Sequence, residues 1–378
     1  MFKHTKKVFL LFLFIFIFFN VFAGDGTGQS RIFSTNIIEK VKQATVFIHL
    51  ISINNSAIET NNGRGLCSGF IINDKGHIVT NYHCVHNTTE LKLAFYDEDD
   101  WNLYEVKIIG IDPLSDLAII HIPKRKKPLP YLNWETRDVE DGTPVLAVGH
   151  PYGLTWTITT GIISHTERII KSPYVRMLQS DTVLNSGNSG GPLVNIKGNV
   201  VGVNTLLYNP TGQKTYIGMS LSIRNDDAKT IADVLIEGKE FVRPIIGLML
   251  YDLTPLNREI VIGLDDVKAS GIDIPNTFGT IIIPQDSIPE GLEALDVIVA
   301  IDGIPVNRQK NIVDIVRLKS VGEKINLIVI RDKVFVNVEV VLKKLQITAA
   351  QLFDKTTPPS PDNNSTEKKN EDDLDGVK

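Results

Sequence analysis

Three short segments of this 378-residue chain hold residue types that can carry out acyl transfer. In order they are Val79-Thr80-Asn81-Tyr82-His83-Cys84-Val85, Asp112-Pro113-Leu114-Ser115-Asp116-Leu117-Ala118, and Asn185-Ser186-Gly187-Asn188-Ser189-Gly190-Gly191-Pro192. A serine hydroxyl is a poor nucleophile at neutral pH and needs a base within hydrogen-bond reach. Histidine titrates near neutrality, so it can take that proton and later give it to a leaving amine. A carboxylate behind the imidazole fixes its tautomer and stabilises its cation. Glycines beside a serine let the backbone turn sharply enough to aim N–H groups at a developing oxyanion. The loop Gly187-Asn188-Ser189 is the candidate for that hole, through the Gly187 and Ser189 amides.

Singly, these residues have ordinary alternatives. His83 is one of eight histidines, and His77, His86, His121, His150 and His165 are equally eligible on composition. Asp112 and Asp116 compete within one segment, and Gly-Asn-Ser-Gly-Gly could be a glycine-rich hairpin and nothing more. Cys67, Cys84, His83 and His86 could in principle ligate zinc, but that would consume the general base. No metal or cofactor is called for by the chemistry.

The elements that must position these segments are mostly short strands. From about residue 44 to 223 the chain alternates β-type runs, such as Gly69-Phe70-Ile71-Ile72 and Pro144-Val145-Leu146-Ala147-Val148, with Gly, Asn, Asp and Pro punctuation. That pattern implies an all-β sandwich or barrel. Ala228, Ile231, Ala232, Leu235 and Ile236 recur at helical spacing, so a helix over 225–238 closes the unit. A second unit spans 243–345, with strand-like runs at 279–283 and 297–301, a tight turn at Asp302-Gly303, a helix at 311–318 and two strands near 325–330 and 334–342. The stretch 354–378 is rich in Pro, Ser, Asn, Glu, Asp and Lys and lacks apolar residues to bury; it reads as a disordered tail.

The first residues read differently. A basic start (Lys3, His4, Lys6, Lys7) precedes an apolar run from Val8 to Phe19 and small residues around Ala23. Residues 1–23 therefore read as a secretory signal peptide with cleavage after Ala23, the alternative being an uncleaved membrane anchor. Residues 24–35 read as a flexible lead-in. Export suits the two cysteines, an even number that permits one disulfide. The net charge of −5 argues against a nucleic-acid partner, which would need a basic surface.

Taken together and in order, the segments resemble the trypsin-like serine proteases, most closely the HtrA/Deg branch. The likeness covers about 60–225: Ser68-Gly69-Phe70-Ile71-Ile72 leading to Thr80-Asn81-Tyr82-His83, then Ser115-Asp116-Leu117-Ala118, Val148-Gly149-His150-Pro151-Tyr152-Gly153-Leu154, and Gln179-Ser180-Asp181-Thr182 before the serine. It implies a mainly β fold, a trypsin-like double six-stranded β-barrel over 36–240, followed by a smaller α+β PDZ domain over 243–345. It implies His83 as base, Asp116 rather than Asp112 as orienting acid, Ser189 as nucleophile and Gly187, Asn188 and Ser189 as the oxyanion loop. It assigns Val203, Asn204, Thr205, Leu206, Leu207 and Tyr208 to substrate binding.

The HtrA branch usually lacks cysteines here, whereas Cys67 and Cys84 resemble the pair that ties the catalytic-histidine loop in secreted chymotrypsin-like enzymes. The resemblance thus implies a Cys67–Cys84 disulfide. No acid stands near Val183, where the family likeness puts the base of the primary pocket, so cleavage after small or medium aliphatic residues is expected. In the second unit Ile246, Gly247, Leu248 and Met249 fall where a PDZ domain binds a chain-terminal carboxylate. Leu295 replaces a usual glycine before Asp296.

The functional expectation is an exported serine endopeptidase, periplasmic or secreted, acting on unfolded polypeptides and exposed C-terminal peptides and assembling as a homotrimer or larger oligomer. Two alternatives stand beside it: a dedicated processing protease, and a PDZ-based chaperone or binding protein with an idle protease fold.

Overall fold

In a computed structural model the described residues are 31–346, apart from 52–63, 87, 89, 97, 99–102, 123–127, 171–173, 212 and 214. The signal peptide, most of the lead-in and the tail expected from sequence lie outside them.

The first element among the described residues is helix α1 (Thr35–Ala44). Ser34 caps it by accepting the Ile37 amide at 3.3 Å, which satisfies one of the orphan donors of the first turn. The β-branched run Thr45-Val46 then ends it, and the chain passes directly into a strand. The first sheet runs in the order β5 (Tyr104–Glu105), β4 (Glu90–Phe95), β1 (Thr45–Ile51), β2 (Arg64–Ile71), β3 (His77–Asn81), β7 (Leu117–His121) and β6 (Lys107–Asp112). It therefore has seven strands rather than the six expected, the extra one being the two-residue β5. The second is a closed six-stranded barrel, β10 (Met177–Ser180), β13 (Ser220–Arg224), β12 (Val200–Leu207), β11 (Pro192–Asn195), β8 (Pro144–Gly149) and β9 (Thr157–Arg168).

Strands β3, β8, β11 and β13 are buried almost throughout, and β8 accordingly reads as a continuous apolar run, Val145-Leu146-Ala147-Val148, rather than an alternating one. Helix α2 (Asn225–Ile236) packs Ala228, Ile231, Ala232 and Leu235 into the core shared by the two sheets. Asp226 and Asp227 occupy its first turn, where the helix dipole favours negative charge. Both pair with Arg176.

The second unit is a sheet in the order β15 (Leu250–Leu253), β16 (Gly279–Ile282), β17 (Val297–Ile301), β19 (Lys324–Arg331) and β20 (Val334–Val341), with β18 (Ile304–Pro305) paired to β17. Helices α3 (Arg258–Ile262), α4 (Asp265–Ser270) and α5 (Gln309–Val316) complete it, and β14 (Pro244–Ile245) pairs with β21 (Lys343–Lys344). The two short helices α3 and α4 have no clear helical spacing in the sequence. Where the units join, Arg243 and Asp112 form a bidentate ion pair.

Candidate active site

Strands β3 and β7 are antiparallel neighbours with Asn81 opposite Leu117. The chain leaving β3 therefore meets the chain entering β7 at one end of the first sheet. There Tyr82–Cys84 forms a single 3₁₀ turn, and Asp116 adopts a left-handed conformation (φ 58°) that aspartate tolerates better than most residues. The Tyr82 amide and Asn81 Nδ2 both donate to the Asp116 carbonyl, at 3.0 and 2.9 Å, and so hold that turn.

Asp116 Oδ1 accepts the His83 amide at 2.9 Å, and Oδ2 pairs with His83 Nδ1 at 2.7 Å. An ionised carboxylate only accepts, so the proton sits on Nδ1 and Nε2 keeps the lone pair. Asp112, the competitor in sequence, is instead spent on Arg243 and on the Ser115 hydroxyl.

Ser189 comes from the other barrel, in the turn before β11. Gly187 has φ +107°, and a Cβ there would run into the carbonyl oxygen of His150. The carbonyls of this turn are all anchored. That of Ser186 accepts the Tyr152 amide at 2.9 Å, that of Asn188 accepts the Gly191 amide at 3.0 Å, and that of Ser189 accepts the Ser68 amide at 2.8 Å. The Gly187 carbonyl accepts the Ser68 hydroxyl at 2.7 Å.

In a trans peptide the C=O and N–H point in opposite directions. Anchoring the Ser186 and Asn188 carbonyls therefore turns the Gly187 and Ser189 amides the other way, and neither has an acceptor among the described residues. Two unpaired, preset donors on either side of one residue are the geometry an oxyanion needs. Asn188 corrects the sequence reading: its amide is spent on the Asn185 carbonyl at 3.0 Å, so it braces the loop and adds no donor to the hole. The Ser189 hydroxyl donates to the Thr205 carbonyl at 3.2 Å, and among the described residues no hydrogen bond joins it to His83.

The substrate-binding stretch is also corrected in part. Val203 and Asn204 are fully buried. Val203 belongs to the shared core, and Asn204 exchanges backbone hydrogen bonds with Gly190 and Gly191 and donates its amide to the Pro192 carbonyl. They hold the nucleophile turn and do not line a cleft. Thr205 presents its carbonyl to Ser189, while Leu206, Leu207 and Tyr208 are half-buried. Val183 is partly exposed. The Asp181 carboxylate accepts the Ile162 amide at 2.7 Å and is tied to the barrel wall.

Cys67 and Cys84 are bridged, with Cα atoms 6.1 Å apart. The bridge joins β2 to the turn carrying His83. His83 lies beside both sulfurs, but sulfurs bonded to each other are not available to zinc.

In the second unit the Met249 amide donates to Gln285 Oε1 at 2.5 Å, and Gln285 Nε2 donates to the Gly247 carbonyl at 3.0 Å. Ile246 is a core residue, 4% exposed. Of the four residues expected to form the carboxylate loop, Gly247 and Leu248 keep amides without an acceptor among the described residues. Sequence reasoning gave Ser68 and Gln285 no role of their own, because nothing in a serine or glutamine by itself signals a bracing role.

Comparison with known proteins agrees with this architecture. Residues 67–203 match the trypsin-like peptidase domain family, and residues 252–342 match the PDZ domain family. The chain is 28% identical to Protease Do-like 1, chloroplastic, of Arabidopsis thaliana, over 81% of this chain and 70% of that one. It is 33% identical to a probable periplasmic serine endoprotease DegP-like of Chlamydia muridarum, over 74% of this chain and 54% of that one. Among solved structures, the HtrA-type protease AlgW with tripeptide superposes with a TM-score of 0.68 at 25% identity, covering 83% of this chain and 97% of that one.

Fold and site thus define a trypsin-like peptidase domain followed by a PDZ domain. The chain belongs to the HtrA/Deg family of trypsin-like serine proteases. It spans about half the length of the curated bacterial relatives it matches.

Proposed function

We propose that this chain is an exported serine endopeptidase that hydrolyses peptide bonds of unfolded or misfolded polypeptides, with Ser189 as nucleophile, His83 as general base and Asp116 as orienting acid. The observation that carries the reading is the double hydrogen bond from His83 to Asp116, with Cys84, next to His83, 3.8 Å from the carbonyl oxygen of a serine whose own amide and that of Gly187 have no acceptor among the described residues.

In this reading the Ser189 hydroxyl turns from the Thr205 carbonyl to His83 Nε2. Its oxygen attacks the scissile carbonyl carbon as the proton passes to Nε2. The negative oxygen of the tetrahedral intermediate is held by the Gly187 and Ser189 amides, and the imidazolium by Asp116. Nε2–H then protonates the leaving amine, and water repeats the sequence on the acyl-enzyme. The primary pocket, lined by Leu206 and Leu207 and lacking a free acid, accepts small or medium aliphatic side chains. The PDZ unit, where the Gly247 and Leu248 amides have no acceptor among the described residues, takes exposed C-terminal peptides by strand addition. The periplasmic naming of the bacterial relatives supports periplasmic or secreted action, and among the described residues no helix is long and apolar enough to cross a membrane. Assembly as a homotrimer is part of the proposal by family likeness.

Cleavage of fluorescein-labelled casein by wild type and Ser189→Ala tests the assignment. Wild type cleaves and Ser189→Ala does not; equal rates would remove Ser189 from the mechanism. Undiminished labelling of His83→Ala by a fluorophosphonate would remove His83 as base.

A further inference from the structure

Behind the nucleophile turn, Ser68 and His150 form a chain of buried polar contacts that reaches no solvent. Both residues are 0% exposed. A serine hydroxyl carries one hydrogen. Ser68 Oγ lies 2.7 Å from the Gly187 carbonyl oxygen, which can only accept, so the hydrogen is spent there. The other contact, 2.9 Å from Ser68 Oγ to His150 Nδ1, must then be donated by the imidazole. His150 is therefore the Nδ1–H tautomer. Its Nε2 is left as an acceptor with no partner among the described residues, shielded from solvent, in a ring packed against Phe47 (centroids 4.7 Å apart) and Trp156 (5.0 Å). A buried polar atom without a partner is costly, so what this ring contributes has to come from its other nitrogen.

The contribution is visible in the turn it supports. The Gly187–Asn188 peptide lies between the two peptides that carry the hole amides, and at Gly187, with φ +107°, it has the freedom to rotate; a rotation there would carry the neighbouring peptides out of alignment. The Ser68 hydroxyl blocks that by holding the Gly187 carbonyl, and the Ser68 amide holds the Ser189 carbonyl at 2.8 Å. The His150 carbonyl closes the space beneath Gly187, and two residues on, the Tyr152 amide holds the Ser186 carbonyl. One serine and one histidine turn thus restrain the Ser186–Gly187 peptide, which carries one hole amide, and the two peptides on either side of Asn188–Ser189, which carries the other.

Building on the protease reading above, we propose that Ser68 and His150 are positioning residues for the oxyanion hole. The Nδ1–H of His150 orients the Ser68 hydroxyl, which pins the Gly187 carbonyl and so fixes the peptide that joins the two peptides bearing the Gly187 and Ser189 amides. Neither residue touches the reacting atoms.

The test uses the full chain and pairs turnover with a transition-state mimic. Ser68→Ala and His150→Phe lower kcat about 10- to 100-fold, less than the about 100- to 1,000-fold cost of removing an oxyanion donor outright. KM stays within about twofold, because the lost interaction acts on the transition state. A peptide boronate, whose tetrahedral adduct places an oxygen in the hole, loses affinity by the same factor as kcat. His150→Asn, whose side-chain N–H can replace the Nδ1–H donor, recovers most of the rate. A folded His150→Phe with wild-type kcat and wild-type boronate affinity would overturn the proposal.

If the Phe variant does not fold, the tautomer decides. ¹⁵N imidazole shifts in the full-length Ser189→Ala protein show a protonated Nδ1 at His150, and a protonated Nε2 would overturn the proposal. This measurement needs no turnover, so a wild type that fails to cleave would count against the protease reading without deciding the tautomer.

Discussion

Asp116 accepts two hydrogen bonds from a single residue, one from the backbone amide of His83 and one from its Nδ1, at 2.9 and 2.7 Å. The two contacts fix the imidazole in position and in tautomer at once. An asparagine at 116 has one accepting oxygen and one donating nitrogen, so it cannot satisfy both donors. Asp116→Asn is expected to lower kcat about 10⁴-fold, the scale of a wrong-tautomer histidine, with the fold intact. Steady-state cleavage beside a melting curve checks it: a variant within tenfold of wild type would take Asp116 out of the mechanism.

Arg243 and Asp112 are each 7% exposed and pair through both guanidinium nitrogens. Phe241 lies under the guanidinium at 4.8 Å. Removing one member of a buried pair strands the other charge, which costs about 3–5 kcal/mol, while replacing both by apolar residues costs far less. Arg243→Met alone is therefore expected to be markedly less stable than Arg243→Met with Asp112→Leu. Asp112 also takes the Ser115 hydroxyl, one residue before Asp116, so the single variant is expected to lose activity as well. Denaturant melts of the two variants distinguish the cases.

Stability should fall in acid in two stages. Burial, with His49 nearby adding to it, pushes His150 from an ordinary 6.5 down to about 3. As pH drops below 6.5 the unfolded chain takes up a proton that the folded chain refuses, so stability declines toward pH 3. Burial acts to raise Glu135, but the amides of Arg137 and Thr136 and the side chains of Asn195 and Asn199 outweigh it and lower the group from 4.5 to about 2. The folded chain thus keeps this carboxylate ionised, and its contribution is present above 4.5 and lost as pH falls toward 2. Melting temperature against pH is expected to slope below 6.5 and steepen below 4.5. Glu135→Gln should flatten the lower stage, and a substitution of His150 the upper one. An unchanged curve in either variant would remove that group from the account.

The outer edge of β15 is already occupied. Gln309 Nε2 donates to the Leu250 carbonyl at 2.6 Å, and Asn257 Nδ2 donates to the Asp252 carbonyl at 2.9 Å. A peptide adding to this edge has to displace the Gln309 amide. Gln309→Ala is expected to bind a C-terminal peptide several-fold more tightly than wild type. Gln285→Ala should bind several-fold more weakly, because the loop at Gly247 loses its brace. Anisotropy of a labelled peptide measures both, and no change in either would place peptide binding elsewhere.

In the sequence, residue type and local glycine content marked the segments around His83, Asp116 and Ser189, but only their ordered resemblance to the family singled out these three over the other histidines and Asp112. The closing helix α2, with its 3.6-residue spacing, and the Asp302-Gly303 turn were legible directly. The short helices α3 and α4 and the seventh strand β5 were not, because two to six residues carry too little periodicity to separate helix, strand and loop.

The tertiary structure alone decided between Asp112 and Asp116 on physical grounds. Strand register put Leu117 opposite Asn81, which brought Asp116 to His83 and left Asp112 to Arg243, 131 residues away. It also moved Val203 and Asn204 from the cleft to the core and gave Asn188 a bracing bond in place of a catalytic one. Those assignments depend on which peptide faces which, and a peptide's direction is set by its partner across space. The sequence by itself determined which residues could do the chemistry; Ser68 and His150, both inside motifs legible in the chain, acquired a role only when folding set them behind Gly187.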